Sequence, residues 1–151
     1  MELRNHGVPS EFIRDLKRAG YDIPVSRITE LRNHGVSSQF LLDLKDLGLH
    51  PEASELVQLR DHGVSAEYLK GLRDAGYGSL RADDVVQLRS HGVDARFAED
   101  AKKLGYKFSV DDLIYLRDRG VNGPYLRTLR DSGMRDLNAE QIAKLKMHGV
   151  E

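Results

Sequence analysis

The stretch LRDHGVSAEYLKGLRDAGY, from Leu59 to Tyr77, contains two similar segments that both end in glycine. The first segment ends at Gly63 and the second at Gly76. A leucine stands four residues before each glycine, and an arginine stands three residues before it. Because a glycine in a left-handed conformation commonly stops a helix, each segment is predicted to be a short helix that its glycine ends.

The same pair of segments recurs along the whole chain. The first kind of glycine, preceded by His or Arg and followed by Val, recurs at intervals of 28, 28, 29, 28 and 29 residues, at Gly7, Gly35, Gly63, Gly92, Gly120 and Gly149. The second kind follows each of the first five by 13 residues, at Gly20, Gly48, Gly76, Gly105 and Gly133. We call the segments that end at these two kinds A and B helices. In both, apolar residues recur at steps of three and four, as on one face of a helix.

This repetition predicts an all-α fold, a right-handed α-solenoid of about five two-helix repeats of 28–29 residues. Helices of about ten residues are too short to be stable alone, so they must stack and share a core. Residues 1–151 are predicted to form a single α-helical repeat domain. Its approximate repeats are residues 1–22, 23–50, 51–79, 80–107 and 108–136, followed by a terminal helix in 137–151.

Residues that can cap a helix precede most of the segments. Before the A helices, Ser109 with Asp112 resembles an N-cap pairing, and Asn138 with Gln141 fits the capping box better. The residues at the equivalent position before the B helices are Pro9, Ser37, Ser65, Asp94 and Asn122.

Two B helices contain unusually small residues. Gly71 lies inside its helix, so an alanine there is expected to stabilise the protein. Ala98 and Ala101 stand where other B helices carry larger apolar residues. They predict either a closer approach of the neighbouring helices or a loosely packed site.

Composition excludes several classes of function. The chain has 151 residues, with 23 Lys plus Arg against 24 Asp plus Glu, and this near-balance disfavours a general nucleic-acid binder. No apolar run approaches the roughly 20 residues that a membrane helix needs, so membrane insertion is not expected. The N-terminus lacks the apolar core of a signal peptide. Cysteine is absent, which is compatible with a cytoplasmic or an extracytoplasmic location.

Five of the six histidines stand immediately before an A-helix glycine. A metal ion needs donors that converge on one point, whereas equivalent positions in stacked repeats form a ladder with steps on the order of 10 Å. We therefore expect these histidines to bond the last carbonyls of their helices, and we expect no metal and no cofactor. Arg119 takes the same position in the sixth copy.

Basic and aromatic residues also form ladders. The A-helix arginines could form a stripe for phosphates or acidic peptides, or they could be last-turn cations at helix C-termini. The tyrosines after the B-helix glycines could pack in the core or contact a ligand. The candidate partner-binding residues are Arg32, Arg60, Arg89, Arg117, Tyr77 and Tyr106.

The motif Leu-Arg-x-His-Gly-Val-Ser-x-Glu-Tyr-Leu, followed by Leu-Arg-x-Ala-Gly-Tyr and Asp-Asp-Leu, resembles a known type of bacterial helical repeat. These repeats occur in the C-terminal regions of membrane-bound metallopeptidases of the β-lactam-sensor type. Residues 65–77 and 109–121 carry the resemblance best, and it covers essentially the whole chain. It implies a bacterial sensor or interaction module. The peptidase domain is absent, so no catalytic residue is carried over.

These patterns favour a non-enzymatic scaffold or binding module for a protein or peptide partner. No arrangement of catalytic residues stands out, so an enzyme is not expected. Two alternatives remain open: a nucleic-acid-binding solenoid that uses the Arg and Lys ladders, and an excised or engineered repeat fragment with a structural role only. Because no helix follows the terminal one, Ile142 and Leu145 are expected to be partly exposed, which predicts weak head-to-tail self-association.

Overall fold

The computed structural model describes residues 10–149, and this range contains ten α-helices and no strand. Each helix has nine residues: α1 Ser10–Arg18, α2 Val25–Asn33, α3 Ser38–Asp46, α4 Ala53–Asp61, α5 Ala66–Asp74, α6 Ala82–Ser90, α7 Ala95–Lys103, α8 Val110–Asp118, α9 Gly123–Asp131 and α10 Ala139–Met147. The odd-numbered helices are the B helices and the even-numbered ones the A helices. The all-α repeat fold predicted from the sequence is confirmed. The predictions for residues 2–9 and for Val150 lie outside the described residues.

Glycine ends each helix as predicted, and α4 shows how. Gly63 has a backbone φ of 73°, which an L-residue with a Cβ adopts only at a cost. Its amide donates to the carbonyl of Arg60 at 3.1 Å, and the amide of Val64 donates to that of Leu59 at 2.9 Å. This pair of bonds is the Schellman motif, and it buries the side chain of Val64 completely. A positive φ is found at Gly20, Gly35, Gly48, Gly63, Gly76, Gly92, Gly105, Gly120, Gly133 and Gly149.

The predicted N-caps are also present. Asn138 with Gln141 forms the predicted capping box, and Ser109 with Asp112, predicted as an N-cap pairing, also forms one. Side-chain oxygens of three predicted B-helix caps accept backbone amides: Ser37 from Phe40, Asp94 from Phe97 and Asn122 from Tyr125.

The chain folds into two compact units, Met1–Glu67 and Tyr68–Glu151. Within each unit, helices of the same kind stack on each other: α1 on α3 and α2 on α4 in the first, and α6 on α8, α7 on α9 and α8 on α10 in the second. Each stack therefore brings together helices that lie two apart in the chain. The leucines four residues before the glycines are buried in the core as predicted, and they are Leu16, Leu31, Leu44, Leu59, Leu72, Leu88, Leu116 and Leu129. The single-domain organisation and the right-handed sense of the solenoid stay predictions.

Two B helices approach their neighbours closely. A Cβ atom added at Gly71 would lie only 2.4 Å from the Cβ of Ala95 in the next B helix. The expected stabilisation by alanine at position 71 is therefore wrong, because packing outweighs helix propensity there. One repeat later, Asp100 and Gly123 stand at the positions of Gly71 and Ala95, and a Cβ at Gly123 would meet a carboxylate oxygen of Asp100 at 2.3 Å. The small residues of α7 accordingly fit a close approach, and Ala98 is almost completely buried.

The terminal helix α10 differs from its prediction in one respect. Ile142 is fully buried, because α10 packs on α8. Its expected exposure is wrong, and it is not available for head-to-tail contact. Leu145 is half-buried as expected, and Met147 is 72% exposed. Head-to-tail association stays a prediction, and Leu145 is the one of its two apolar residues that is partly exposed.

Candidate functional site: a groove beside Tyr106

The histidine ladder joins consecutive repeats. Nδ1 of His34 lies 2.8 Å from a carboxylate oxygen of Asp61, and Nδ1 of His91 lies 2.9 Å from that of Asp118. Each aspartate is the last residue of the next A helix in the chain. The expected bond to a terminal carbonyl is therefore replaced at these two positions by a bond between repeats. Within residues 10–149, no group of three or more His, Asp or Glu side chains has the arrangement of a metal site.

The arginines of the A helices contact aromatic rings of the preceding repeat. The guanidinium of Arg60 lies 5.1 Å from the ring centroid of Phe40, and its nitrogens donate to the carbonyls of Gly35 and Val64 at 3.2 and 3.0 Å. Arg60 thus connects the end of its own helix to the preceding repeat. The same ring contact recurs for Arg32 over Phe12, Arg89 over Tyr68, Arg117 over Phe97 and Lys146 over Tyr125. The four candidate arginines therefore already have structural contacts.

The tyrosines after the B-helix glycines connect successive loops. The hydroxyl of Tyr77 donates to the carbonyl of Phe108, and burial raises the pKa of this tyrosine. The hydroxyl of Tyr21 donates to the carbonyl of Pro51, and its ring stacks on that of His50 at a centroid distance of 4.5 Å. In both cases the acceptor is a backbone carbonyl in the loop that leads into the second A helix after that tyrosine.

Tyr106 occupies the equivalent position in the fourth repeat but lacks this bond. Its ring stacks on that of Phe108 at 5.0 Å, and its hydroxyl has no hydrogen-bond partner among the described residues. Partial burial raises the pKa of Tyr106, and the positive charge of Arg130 opposes the increase. Tyr106 is therefore a half-buried donor that residues 10–149 leave without an acceptor.

Tyr106 lines an open groove of about 960 Å³, which we call the Tyr106 groove. It lies among the loop after α7, the first turns of α8 and α10, and the loop that joins α9 to α10. Tyr106, Phe108 and Tyr115 give it an aromatic wall, and Met134 adds an apolar side chain from the loop after α9. Of the six candidate residues from the sequence, Tyr106 is the one that lines this groove. Tyr77 does not line it, but its hydroxyl binds the carbonyl of Phe108, which does.

The loop between α9 and α10 has an unusual backbone. Asp136 has a φ of 59°, the one positive value at a non-glycine residue in the described range. Left-handed conformations cost L-residues free energy, although aspartate tolerates them better than most residues do. Asp136 lines the groove. This loop, 132–138, has seven residues, whereas the loops that contain Pro51 and Phe108 have six, and no carbonyl of it accepts from Tyr106.

The charged residues of the groove are not paired with each other. The basic residues are Lys107, Arg130 and Arg135, and the acidic residues without a capping role are Asp111, Asp136 and Glu140. None of these six takes part in an ion pair within the part of the chain that the structure describes. Their charges are therefore available to a ligand.

Two sequence signals mark this groove, but their meaning depends on the fold. Met134 follows the fifth B-helix glycine, where three other repeats carry tyrosine. Gln141 stands at the third position of α10, where α4 and α8 carry the acidic residues Glu55 and Asp112. Neither substitution predicts a groove without knowing which loops lie side by side.

No protein-family model, no curated protein and no solved structure matches this chain. Among residues 10–149, no helix combines the length and the apolar character required to span a bilayer.

Proposed function

We propose that this chain is a non-enzymatic binding module that holds a short segment of a partner protein in the Tyr106 groove. One observation carries the proposal: the hydroxyl of Tyr106 has no partner among the described residues, whereas those of Tyr21 and Tyr77 bind backbone carbonyls. An extended peptide supplies a backbone carbonyl wherever it passes. The stacked repeats hold the groove on short, well-capped helices, which reduces the entropy lost on binding.

The character of the groove supports a peptide over a phosphate backbone. A nucleic-acid site needs an excess of positive charge, whereas three basic and four acidic residues line this groove. The arginines that would form a basic stripe are engaged with aromatic rings and carbonyls. An aromatic wall beside mixed charges is suited to a peptide with both apolar and charged side chains. The resemblance to repeats of a bacterial sensor remains a prediction that agrees with such a role.

A selection from displayed random linear peptides tests this proposal with the full-length chain. We expect enriched peptides whose affinity falls at least about tenfold in Tyr106→Ala, because truncation of a central aromatic residue typically has an effect of this size. Tyr21→Phe serves as the matched control and should leave the affinity unchanged, since its hydroxyl already binds Pro51.

Two results would overturn the proposal. One is the absence of any enriched peptide. The other is binding that Tyr106→Ala leaves intact, which would place the ligand elsewhere. A salt-sensitive shift of nucleic acid that also persists in Tyr106→Ala would favour the alternative function of the basic ladders. Circular dichroism of Tyr106→Ala should show an unchanged helix content, so that lost binding reports on the groove.

A further inference from the structure

The first two repeats contain a filled version of the arrangement around Tyr106. There the chain supplies its own ligand, the segment Leu49–Glu52, which lies beside Tyr21. The prolyl carbonyl of Pro51 accepts the hydrogen bond from the hydroxyl of Tyr21. The next residue is acidic, Glu52, and it caps the start of α4. A proline suits this place because it has no amide hydrogen that would need an acceptor in an aromatic surrounding.

The charge next to the tyrosine differs in sign between the filled and the open arrangements. Burial first, and then the carboxylate of Glu55, raise the pKa of Tyr21 to about 12. Beside Tyr106 the nearby charge is the guanidinium of Arg130. The residue of α10 equivalent to Glu55 is the uncharged Gln141. The charge that acts on the tyrosine is therefore positive in the open groove and negative in the filled arrangement, and the two charges come from different positions of the repeat.

Arg130 is also less engaged than its counterpart in the preceding repeat. The ammonium of Lys102, at the same position of α7, donates to the carbonyl of Asp74 at 3.1 Å. The side chain of Arg130 makes no hydrogen bond or ion pair within residues 10–149. An acidic side chain from outside would complement it.

We infer that the Tyr106 groove binds an extended segment that contains a proline followed by glutamate or aspartate. The prolyl carbonyl accepts from the hydroxyl of Tyr106, the proline ring lies against the aromatic wall, and the carboxylate lies beside Arg130. Aromatic grooves commonly bind proline-containing segments in this way, because their extended conformation is formed in advance. The inference rests on the proposed function and specifies its ligand.

A labelled peptide with the sequence of residues 49–54, Leu-His-Pro-Glu-Ala-Ser, flanked by Gly-Ser, provides a direct test by fluorescence polarisation against the full chain. We expect saturable binding that Tyr106→Phe weakens about fivefold through the lost hydrogen bond. Arg130→Gln should weaken it about threefold, as for an exposed ion pair, and salt should reduce this difference. Tyr21→Phe is the matched control and should bind as the unaltered chain does.

Two altered peptides identify the recognised features. Replacement of the proline by alanine and of the glutamate by glutamine should each weaken binding to the unaltered chain. The glutamine peptide should bind Arg130→Gln and the unaltered chain about equally, because the charge pair is then absent from both. Tyr106→Phe and Arg130→Gln should unfold at the temperature of the unaltered chain, since neither removes a described bond within the protein.

The outcomes separate this inference from the function on which it rests. If selected peptides without a Pro-acid pair bind in a Tyr106-dependent manner while the Pro-Glu peptide does not, the inference is overturned and the peptide-binding function stands. Binding of the Pro-Glu peptide that neither variant weakens also overturns the inference. If no peptide of either kind binds, both are overturned.

Discussion

Tyr77 and Tyr106 stand at equivalent places in successive repeats, and their surroundings differ by one hydrogen bond. Each follows a B-helix glycine with a positive φ, at Gly76 and Gly105, and each ring is half-buried. The hydroxyl of Tyr77 donates to the carbonyl of Phe108, whereas that of Tyr106 has no described partner. Two repeats with equivalent helices and glycines can therefore differ in the loop beside the tyrosine, which binds the hydroxyl in one repeat and leaves a groove in the other.

The difference lies in the loops and not in the helices. The loop that contains Phe108 passes close enough to Tyr77 to present its carbonyl, and Phe108 itself is buried. The loop before α10 contains the left-handed Asp136, and the groove opens beside it. In a repeat protein the helices are constrained by the shared core, so a loop can change locally without disturbing the stack.

The largest expected effect is the loss of the buried ring of Phe108, whose carbonyl binds Tyr77 and whose ring stacks on Tyr106. Phe108→Ala should lower the free energy of unfolding by about 3–5 kcal/mol, because Phe108 is buried and its removal leaves a cavity. Urea unfolding followed by circular dichroism measures this loss. Tyr106→Ala, on the open side, should cost less than half as much. Equal losses would mean that the two sides are packed alike.

A smaller effect isolates the hydrogen bond that separates the two tyrosines. Tyr77→Phe should destabilise the protein by about 1 kcal/mol, because it leaves the carbonyl of Phe108 without its donor. Tyr106→Phe should leave the free energy of unfolding unchanged, since no described bond is lost. A similar loss in both variants, measured by urea unfolding, would show that Tyr106 has an acceptor within the protein.

The backbone of the open loop offers a change in the opposite direction. Asp136→Gly should raise the free energy of unfolding by about 0.5 kcal/mol, because glycine adopts the φ of 59° without strain. In the same loop, Gly133→Ala should lower it, since Gly133 has a φ of 84°. Thermal unfolding of both variants checks the signs. A loss of stability in Asp136→Gly would show that the aspartate side chain makes a compensating interaction.

The last prediction concerns the ionisation of Tyr21, which has no effect on stability at neutral pH and acts only in alkaline solution. Burial and Glu55 raise the pKa of Tyr21 from 10.0 to about 12, so the neutral phenol is favoured in the folded state. The stability that this provides is complete below pH 10.0 and is lost as the pH rises to about 12. Urea unfolding should show that the free energy of unfolding falls across this pH range. Tyr21→Phe should reduce this fall, and Tyr106→Phe should reduce it less. An identical fall in all three proteins contradicts this assignment.

Most of the fold follows from local features of the sequence. Gly63 predicts a helix end because its position requires a positive φ, and Ser109 with Asp112 predicts a helix start because the two cap each other. Leu88 predicts a core position because its spacing places it on the apolar face, and it is fully buried. Such interactions span a few residues, so a single repeat contains the information for them.

Packing between repeats does not follow from these local features. Helix propensity alone suggests that Gly71 weakens its helix. In the fold, Gly71 instead leaves the space that the Cβ of Ala95, 24 residues further on, needs. The position of Arg60 suggests a last-turn cation, whereas its side chain covers the ring of Phe40. The end of the repeat pattern suggests an exposed Ile142, whereas α10 packs it on α8. Each depends on a neighbour in another repeat, whose distance and direction the sequence pattern does not give.

The candidate site also has features that the sequence predicts and features that depend on the fold. The sequence identifies Tyr106 as a ladder residue, because its place after a B-helix glycine is a local property. That Tyr106 differs from Tyr21 and Tyr77 is evident only from the three-dimensional arrangement. Whether a hydroxyl finds an acceptor depends on the path of a loop 30 or 31 residues further along the chain. In this protein, short-range capping and periodicity specify the helices, while the long-range placement of loops specifies where a ligand can bind.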